Sequence, residues 1–450
     1  MKTYRKMIIP LFTFVMLSGC GGGGDDSGSA NTPTDPVTPT NSETPKNPII
    51  SDKTLQAMKS ETTLPVFYKG QRIKYIGTGN NSIISNAEKD IIVGYIDTTG
   101  GSVSGARNLP LIYELESTKI SEIPLPSTSF YWNAQSDMLS NDGNLIVLYG
   151  GYYNVDPSKS VLGSNFLIYN RITGSLFDPD PSNTMDVRNH FNKMSGDGQS
   201  IFSLIQYSDR NEVKKYDVLT KKNNLFATLK SGYNLLSVDN TGKSLLFKSA
   251  SSSEVINNLP VSGGTGSDNY YIMTPKGNRL LLDSNNYWNS CQNGELKPDG
   301  SMVILFCTAA HAGNGLNTDF AENSNFVVFD TNTYENRYIK NKDVLNLTGL
   351  SYFDIMGQIH GMDNKGFSFV VRERSTESPP KNPTKIFFIR YNFETKKLES
   401  YKVIGQIASN LESDVYYGTL ARSDVLLGNV KKGRDSDLND IYEYFYQKAF

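Results

Sequence analysis

Residues 196–220 read GDGQSIFSLIQYSDRNEVKKYDVLT and contain the two patterns that decide the fold. A polar turn with glycine, Gly196-Asp197-Gly198, comes shortly before the apolar run Ile201–Ile205. A later strand ends in an aromatic residue, an acid and a threonine-containing turn, Tyr216-Asp217-Val218-Leu219-Thr220. Glycine supplies the positive φ that a tight hairpin turn needs. We therefore predict antiparallel strands whose ends are marked by these two kinds of turn.

The glycine turn followed by an apolar strand recurs along the chain. Such self-similarity at a regular interval is the first sign of a repeat architecture. Four further copies of this pattern are Asn141-Asp142-Gly143 before Leu145–Leu148, Asp239–Gly242 before Leu245–Phe247, Pro298-Asp299-Gly300 before Met302–Phe306, and Asp363–Gly366 before Phe367–Val371.

The aromatic residue before the second turn marks each unit. Successive markers are 47–62 residues apart, except for one gap of 113 residues that predicts a degenerate unit, for which Glu254–Leu259 is the candidate. Seven units result, and the turn Pro275-Lys276-Gly277 leaves room for an abbreviated eighth. The markers are Tyr113, Tyr169, Tyr216, Phe329, Tyr391 and Tyr444.

A period of about 40–60 residues with several short strands per unit is typical of a β-propeller. The chain has 26 Tyr and 22 Phe but only 14 Ala, which also favours strands over helices. The repeat resembles TolB-type and other WD-like propeller repeats, and the resemblance implies an all-β fold with a single propeller over 65–450. We predict seven blades, with eight as the alternative. A large β-sandwich or a pair of sandwiches is the second choice, which the regular spacing disfavours.

The first residues carry an export signal. Lys2, Arg5 and Lys6 precede the apolar run Met7–Leu17, which is too short to span a bilayer. It ends in Leu17-Ser18-Gly19-Cys20, which resembles a bacterial lipobox. The resemblance implies a signal peptide over 1–19, lipid attachment at Cys20 and, because Gly rather than Asp follows the cysteine, the outer membrane. An ordinary secretory signal with a chance cysteine is the alternative.

Residues 20–64 are predicted to be the lipidated cysteine and a flexible tether. The segment begins with Gly21–Gly24 and continues with proline, threonine, serine and asparagine, with almost no apolar side chains. Such a composition cannot bury a core. We expect the membrane to be contacted through this lipid anchor. The ring of blades is expected to close where the 66–76 region meets the C-terminal strands.

The sequence predicts no catalytic residue, no metal and no cofactor. The 44 Lys and Arg residues against 46 Asp and Glu residues exclude a basic nucleic-acid-binding surface as the expected site. His190, His311 and His360 lie far apart, without the close ligand pairs of a zinc site. The acidic loop Asp435–Asp440 departs from the EF-hand calcium pattern and is interpreted as a blade turn.

Cys291 and Cys307 are predicted to form a disulfide bond. They lie symmetrically about Asp299, so a hairpin at Pro298-Asp299-Gly300 brings them opposite one another. Export places them in an oxidising compartment, where such bonds persist. Two separate buried thiols are the alternative.

Three functions are compatible with these features. The leading hypothesis is a non-enzymatic binding or scaffold protein that engages an envelope or surface protein, or a glycan, in envelope assembly, surface attachment or colonisation. The second is a propeller lyase or hydrolase that acts on a polysaccharide or a lactone, because propellers also host enzymes. The third is a purely structural component of a surface layer or pilus.

Overall fold

The computed structural model is almost entirely β-strand, and the described residues all lie in one compact unit over 47–450. In the described part of the chain there is one helix, α1, at Asn341–Thr348. The structure describes residues 62–65, 67–75, 91–97, 108–114, 117–125, 130–132, 138–152, 162–177, 191–249, 269–281, 291–311, 323–356, 359, 361–374, 384–407, 415–417, 423–434 and 440–448.

Six blades are antiparallel sheets, each folded from one continuous segment of the chain. Blades 1 to 3 come first. Blade 1 contains β2 (Phe67–Tyr68), β3 (Gln71–Tyr75), β4 (Ile91–Asp97), β5 (Asn108–Glu114) and β6 (Lys119–Glu122). Blade 2 contains β7 (Phe130–Trp132), β8 (Met138–Leu139), β9 (Leu145–Tyr152), β10 (Leu162–Asn170) and β11 (Ser175–Phe177). Blade 3 contains β12 (Phe191–Met194), β13 (Ser200–Gln206), β14 (Arg210–Asp217) and β15 (Lys222–Lys230).

Blades 4 to 6 follow in the same order. Blade 4 contains β16 (Tyr233–Val238), β17 (Leu245–Ser249), β18 (Asn269–Thr274) and β19 (Gly277–Leu280). Blade 5 contains β20 (Cys291–Leu296), β21 (Met302–His311), β22 (Asn323–Asp330) and β23 (Asn336–Lys340). Blade 6 contains β24 (Phe353–Ile355), β25 (Gly361–Met362), β26 (Gly366–Glu373), β27 (Thr384–Asn392) and β28 (Lys397–Ile407).

The remaining sheet is a composite of both parts of the chain, and we call it the closing sheet. Three C-terminal strands, β29 (Val415–Tyr417), β30 (Val425–Arg434) and β31 (Asp440–Lys448), are joined by β1 (Thr62–Thr63). Thr62 pairs with Tyr446 and Thr63 with Phe445. Thr62–Thr63, rather than the 66–76 region, therefore completes the closing sheet, because β2 and β3 belong to blade 1.

The single propeller is confirmed, but the expectation of seven blades, or eight, is wrong. The chain forms six blades, and the last predicted unit is the closing sheet, which no single segment builds. The turn Pro275-Lys276-Gly277 begins no eighth unit, because Thr274 pairs with Gly277 across a hairpin inside blade 4. The degenerate marker of blade 4 is Met273, which faces Leu245 as Tyr216 faces Ile201. The candidate Glu254–Leu259 lies outside the described residues.

The turns that follow the markers are Asx turns, in which a side-chain oxygen caps the backbone. The Asp217 carboxylate accepts hydrogen bonds from the backbone N–H and the hydroxyl of Thr220, at 2.8 and 2.9 Å. Asn170, Asp330 and Asn392 accept equivalent backbone hydrogen bonds. An acid or asparagine is needed here because its short side chain returns to its own backbone.

The turns between the first and second long strands link neighbouring blades. The backbone N–H of Asn141 in blade 2 donates to the Gly196 carbonyl of blade 3 at 2.7 Å. Asp197 donates in turn to Asn240 of blade 4 at 2.9 Å, and Asn240 donates to Pro298 of blade 5 at 2.6 Å. A Cβ on Gly196 would collide with the side chains of Asn240 and Asn141, which would have to move to admit it.

The core is a series of apolar clusters between adjacent blades. Blades 4 and 5 share one cluster around Leu246 and Leu305, and blades 5 and 6 share a larger one around Phe326 and Phe369. Each blade has two apolar faces that only its neighbours cover, which explains the repetition in the sequence. Helix α1 connects blades 5 and 6 and buries Val344 in their shared cluster.

Candidate ligand groove between blades 5 and 6

A groove of about 590 Å³ lies where blade 5, helix α1 and blade 6 meet. Cavities of about 300–1,000 Å³ are the usual size for ligand sites. The described residues that line the groove come from β23, α1, β27, the turn after β27 and the start of β28: Arg337, Tyr338, Ile339, Asp343, Asn346, Leu347, Tyr391, Lys396, Lys397 and Leu398.

Strand β23 places one cation and one apolar side chain on the groove. Arg337 is exposed and Ile339 is buried in the cluster shared with blade 6. Side chains alternate along a strand, so Tyr338 between them belongs to the opposite face. The Tyr338 ring accordingly packs against the cluster that blade 5 shares with blade 4.

Helix α1 lines the groove with Asp343, Asn346 and Leu347. The helix starts after Lys340, whose backbone N–H donates to the Asp343 carboxylate at 3.3 Å. It ends at Gly349, which has a φ of 71° and whose N–H donates to the Leu345 carbonyl. This orientation presents the exposed amide of Asn346 to the groove.

The Asx turn after β27 supplies two more cations. Asn392 accepts the backbone N–H groups of Glu394 and Thr395, and Lys396 then has a φ of 58°. Lys396 and Lys397 are both exposed. Within the described part of the chain, neither lysine forms an ion pair, and Arg337 forms none either. The groove itself thus has three cationic side chains and the carboxylate of Asp343 among its described lining residues, while Asp330 and Glu335 line an adjoining side pocket that Arg337 and Lys396 also border.

The floor of the groove is Tyr391, a residue that is 4% exposed and whose ring packs against Phe367 and Phe393 at centroid distances of 5.4 and 6.2 Å. Burial raises the pKa of the Tyr391 hydroxyl, and the positive charge of Arg337 opposes that shift. A narrow side pocket continues from this floor past Asp330 and Glu335. The groove is therefore a cationic wall over an aromatic and aliphatic floor.

A second charged feature lies on the first strands of blades 3 and 5. Strand β16 contacts β12 of the preceding blade and β20 of the following blade, and each of the three is the first strand of its blade. Lys193 of β12 and Glu295 of β20 are close enough to interact electrostatically. Burial lowers the pKa of Lys193 and raises the pKa of Glu295, while each charge opposes the shift of the other. Both groups are thus biased toward their neutral forms.

The structure describes some of the residues that the sequence singled out, whereas others lie outside the described ranges. Cys291 and Cys307 face one another on β20 and β21 and are joined by the expected disulfide, and both are fully buried. Cys20, His190, His360 and Asp435–Asn439 lie outside the described residues, while His311 ends β21. Among the side chains that the structure describes, no group of three His, Cys, Asp or Glu residues is arranged to hold a metal.

Sequence reasoning missed the three cations of the groove. Thr395-Lys396-Lys397 repeats Thr220-Lys221-Lys222 of blade 3 letter for letter, so the motif alone does not distinguish the two places. The difference is the neighbourhood, since only the later copy stands opposite Arg337 and next to α1. The site is therefore recognised from the residues that surround the motif in the fold and not from the motif itself.

No family model matches the chain, and no curated protein matches it. Solved structures with a similar fold include the β-propeller domain of the trilobed protease from Pyrococcus furiosus, with 9% identity over 82% of this chain and 97% of that one and a TM-score of 0.49. An oligogalacturonate lyase from Vibrio parahaemolyticus has 10% identity, coverage of 81% and 84%, and a TM-score of 0.46.

TolB from Acinetobacter baumannii is also similar, with 10% identity, coverage of 80% of both chains and a TM-score of 0.33. At these identities the likenesses concern the fold alone. In the described residues, no helix has the length and apolar character needed to cross a bilayer.

Proposed function

We propose that this protein is a lipid-anchored, non-enzymatic β-propeller binding protein of the bacterial outer membrane. It engages an envelope or surface protein, or a glycan, during envelope assembly, surface attachment or colonisation. The groove between blades 5 and 6 is the binding site. The lipid on Cys20 holds the protein at the membrane, and residues 20–64 tether the propeller.

The observation that carries this proposal is the cationic groove. Arg337, Lys396 and Lys397 border a cavity of ligand size and have no ion-pair partner among the described residues. These three cations line one cavity, in which Asp343 is the carboxylate among the described lining residues. A cationic cleft steers anionic partners and raises their association rate.

The disulfide supports the exported location. Cys291 and Cys307 are buried and joined between the first two strands of blade 5. Disulfides persist in oxidising compartments and are rare in the cytosol of most bacteria. This agrees with the lipobox expected at residues 17–20.

The experiment is photo-cross-linking in living cells. A benzophenone amino acid replaces Asn346 in the full-length protein, and Asn224 on the outer strand of blade 3 is the matched exposed control. We expect a discrete cross-linked product from position 346 and none from position 224. Absence of a product at 346, or the same products from both positions, would contradict binding at the groove.

An enzymatic function is the second candidate, and the pair Lys193 and Glu295 is the observation that favours it. A carboxyl group with a raised pKa beside an amine with a lowered pKa is a typical arrangement for acid–base chemistry. Its test is the release of new reducing ends, unsaturated products or opened lactone from a panel of polysaccharides and lactones. Activity that is lost in Glu295→Gln would favour a lyase or hydrolase, and no turnover by the wild type would exclude it for the panel.

A further inference from the structure

We infer that the ligand of the groove between blades 5 and 6 is an acidic peptide segment of a partner protein, with an aliphatic residue between its acids. This inference rests on the proposed binding function and names the chemistry of the partner. It follows from three features of the groove: its charge, its apolar floor, and the position of its aromatic rings.

The charge sets the sign of the ligand. Three cations line the groove with one described carboxylate, which already accepts the backbone N–H of Lys340. In the adjoining side pocket, the Asp330 carboxylate is likewise held by the backbone N–H groups of Asn332 and Thr333, and Glu335 is the other acid. Arg337 offers a planar fork of donors that matches a carboxylate, while Lys396 and Lys397 act as point charges. A ligand with several carboxylates spread along a chain engages all three side chains.

The apolar lining adds an aliphatic contact. Leu347 of α1 and Leu398 of β28 are only partly buried and lie on the cavity, next to the buried Ile339. Both leucines pack against the cluster shared by blades 5 and 6, so they are held in place. A leucine-sized side chain of the ligand would complete this surface and remove it from water.

The aromatic residues argue against a sugar. A pyranose ring binds by stacking on an exposed aromatic face, whereas Tyr391 is buried and Tyr338 is partly buried. Tyr391 is 4% exposed, with Phe367 and Phe393 against its ring. The Tyr338 ring packs on the other face of blade 5. The aliphatic floor and the exposed amide of Asn346 suit a peptide chain instead, since an amide pairs with peptide groups.

The test uses the full-length protein in detergent and four fluorescent probes. The first is an acetylated five-residue peptide with two acids on each side of a leucine. The second replaces the four acids by their amides, the third replaces the leucine by serine, and the fourth is tetragalacturonate. Binding is measured by fluorescence anisotropy at low and at physiological salt.

We expect the acidic leucine peptide to bind most tightly and more weakly at higher salt. Loss of its charges should weaken binding by at least about tenfold, and loss of its leucine by about tenfold. The double variant Lys396→Glu, Lys397→Glu should weaken it similarly. The matched variant Lys221→Glu, Lys222→Glu, in the same turn of blade 3, should leave it unchanged.

Each other outcome overturns the inference. Equal binding of the leucine and serine peptides shows that the apolar floor is not used, and tighter binding of tetragalacturonate identifies a glycan site. If none of the probes lowers the yield of the product cross-linked from position 346, the groove binds a partner of other chemistry. If that product is itself absent, the proposed function fails and not merely the identity of the ligand.

Discussion

Single polar side chains determine the turns of this propeller. Asp217 has a lowered pKa because the backbone N–H of Thr220 and then its hydroxyl donate to the ionised carboxylate. Asn170 and Asn392 accept equivalent bonds at the same position of blades 2 and 6 without a charge. An asparagine is therefore compatible with the turn, and the comparison isolates the effect of ionisation.

This difference predicts a pH dependence of stability. A carboxyl group whose pKa is lowered in the folded state stabilises the fold above its ordinary pKa of about 3.9 and loses this effect as the pH falls through the folded value. Unfolding by urea at a series of pH values should show the wild type losing stability more steeply than Asp217→Asn below about pH 4. Parallel curves for the two proteins would show that the carboxylate contributes nothing.

The disulfide is the second prediction at this scale. Removing it by the double change Cys291→Ala, Cys307→Ala should lower the free energy of unfolding by about 3 kcal/mol, because the bond joins positions 16 apart and restricts that loop in the unfolded chain. Reduced wild type, unfolded in the same denaturant series, is the control. A double variant as stable as the oxidised protein would contradict a stabilising role for the bond.

The turns between the third and fourth long strands share their backbone geometry more closely than their sequence. The last turn residue has a positive φ in five blades: 55° at Thr118, 65° at Gly174, 56° at Lys221, 64° at Tyr334 and 58° at Lys396. Only blade 2 uses glycine there. A left-handed conformation costs about 1–2 kcal/mol for an ordinary residue.

Glycine in place of Lys221 should therefore stabilise the protein by about 0.5 kcal/mol, after the loss of chain freedom is subtracted. The reverse change, Gly174→Ala, should destabilise it by about 1 kcal/mol, and no atom lies within 4 Å of the added Cβ to confuse the result. Thermal and urea unfolding measure both. A destabilising Lys221→Gly would mean that its side chain, which lies over the Phe177 ring, is worth more than the strain.

Element patterns in the sequence predicted the strands well where both markers were intact. Tyr169 and Tyr391 lie at the ends of third strands, as expected, because an aromatic side chain fills the space between blades. The sequence pattern did not identify blade 4, because Met273 fills that space and Thr274 begins a shorter turn through Pro275 and Lys276. A glycine turn within a blade then looked like the start of another unit.

At the scale of the whole molecule, the two described parts of the closing sheet come from opposite ends of the propeller sequence. No local pattern in the sequence shows that two residues, Thr62–Thr63, pair with β31. The sequence did not predict the groove between blades 5 and 6 either, because Arg337 and Lys396 are brought together only by the packing of adjacent blades. The repeat could be predicted from the sequence, whereas the contacts between repeats could not.

The closing sheet gives a direct test of ring closure. Thr63 and Phe445 are directly opposed partners, and such Cα atoms are about 4.5–5.5 Å apart, within disulfide range. The double variant Thr63→Cys, Phe445→Cys should form a new disulfide in the exported protein. Thr63→Cys with Glu443→Cys should not, because Glu443 lies two residues away from Phe445, the partner of Thr63. Free thiols in the first variant, detected by alkylation and mass spectrometry, would contradict the pairing.

The central claim, that the groove between blades 5 and 6 binds a partner, is tested most directly by the yield of the product cross-linked from position 346 in cells. The yield is compared between the wild type, Lys396→Glu with Lys397→Glu, and Lys221→Glu with Lys222→Glu, at equal protein level. We predict that charge reversal in blade 6 removes most of the product and that the identical change in blade 3 leaves it intact. Equal yields from all three proteins would contradict the claim.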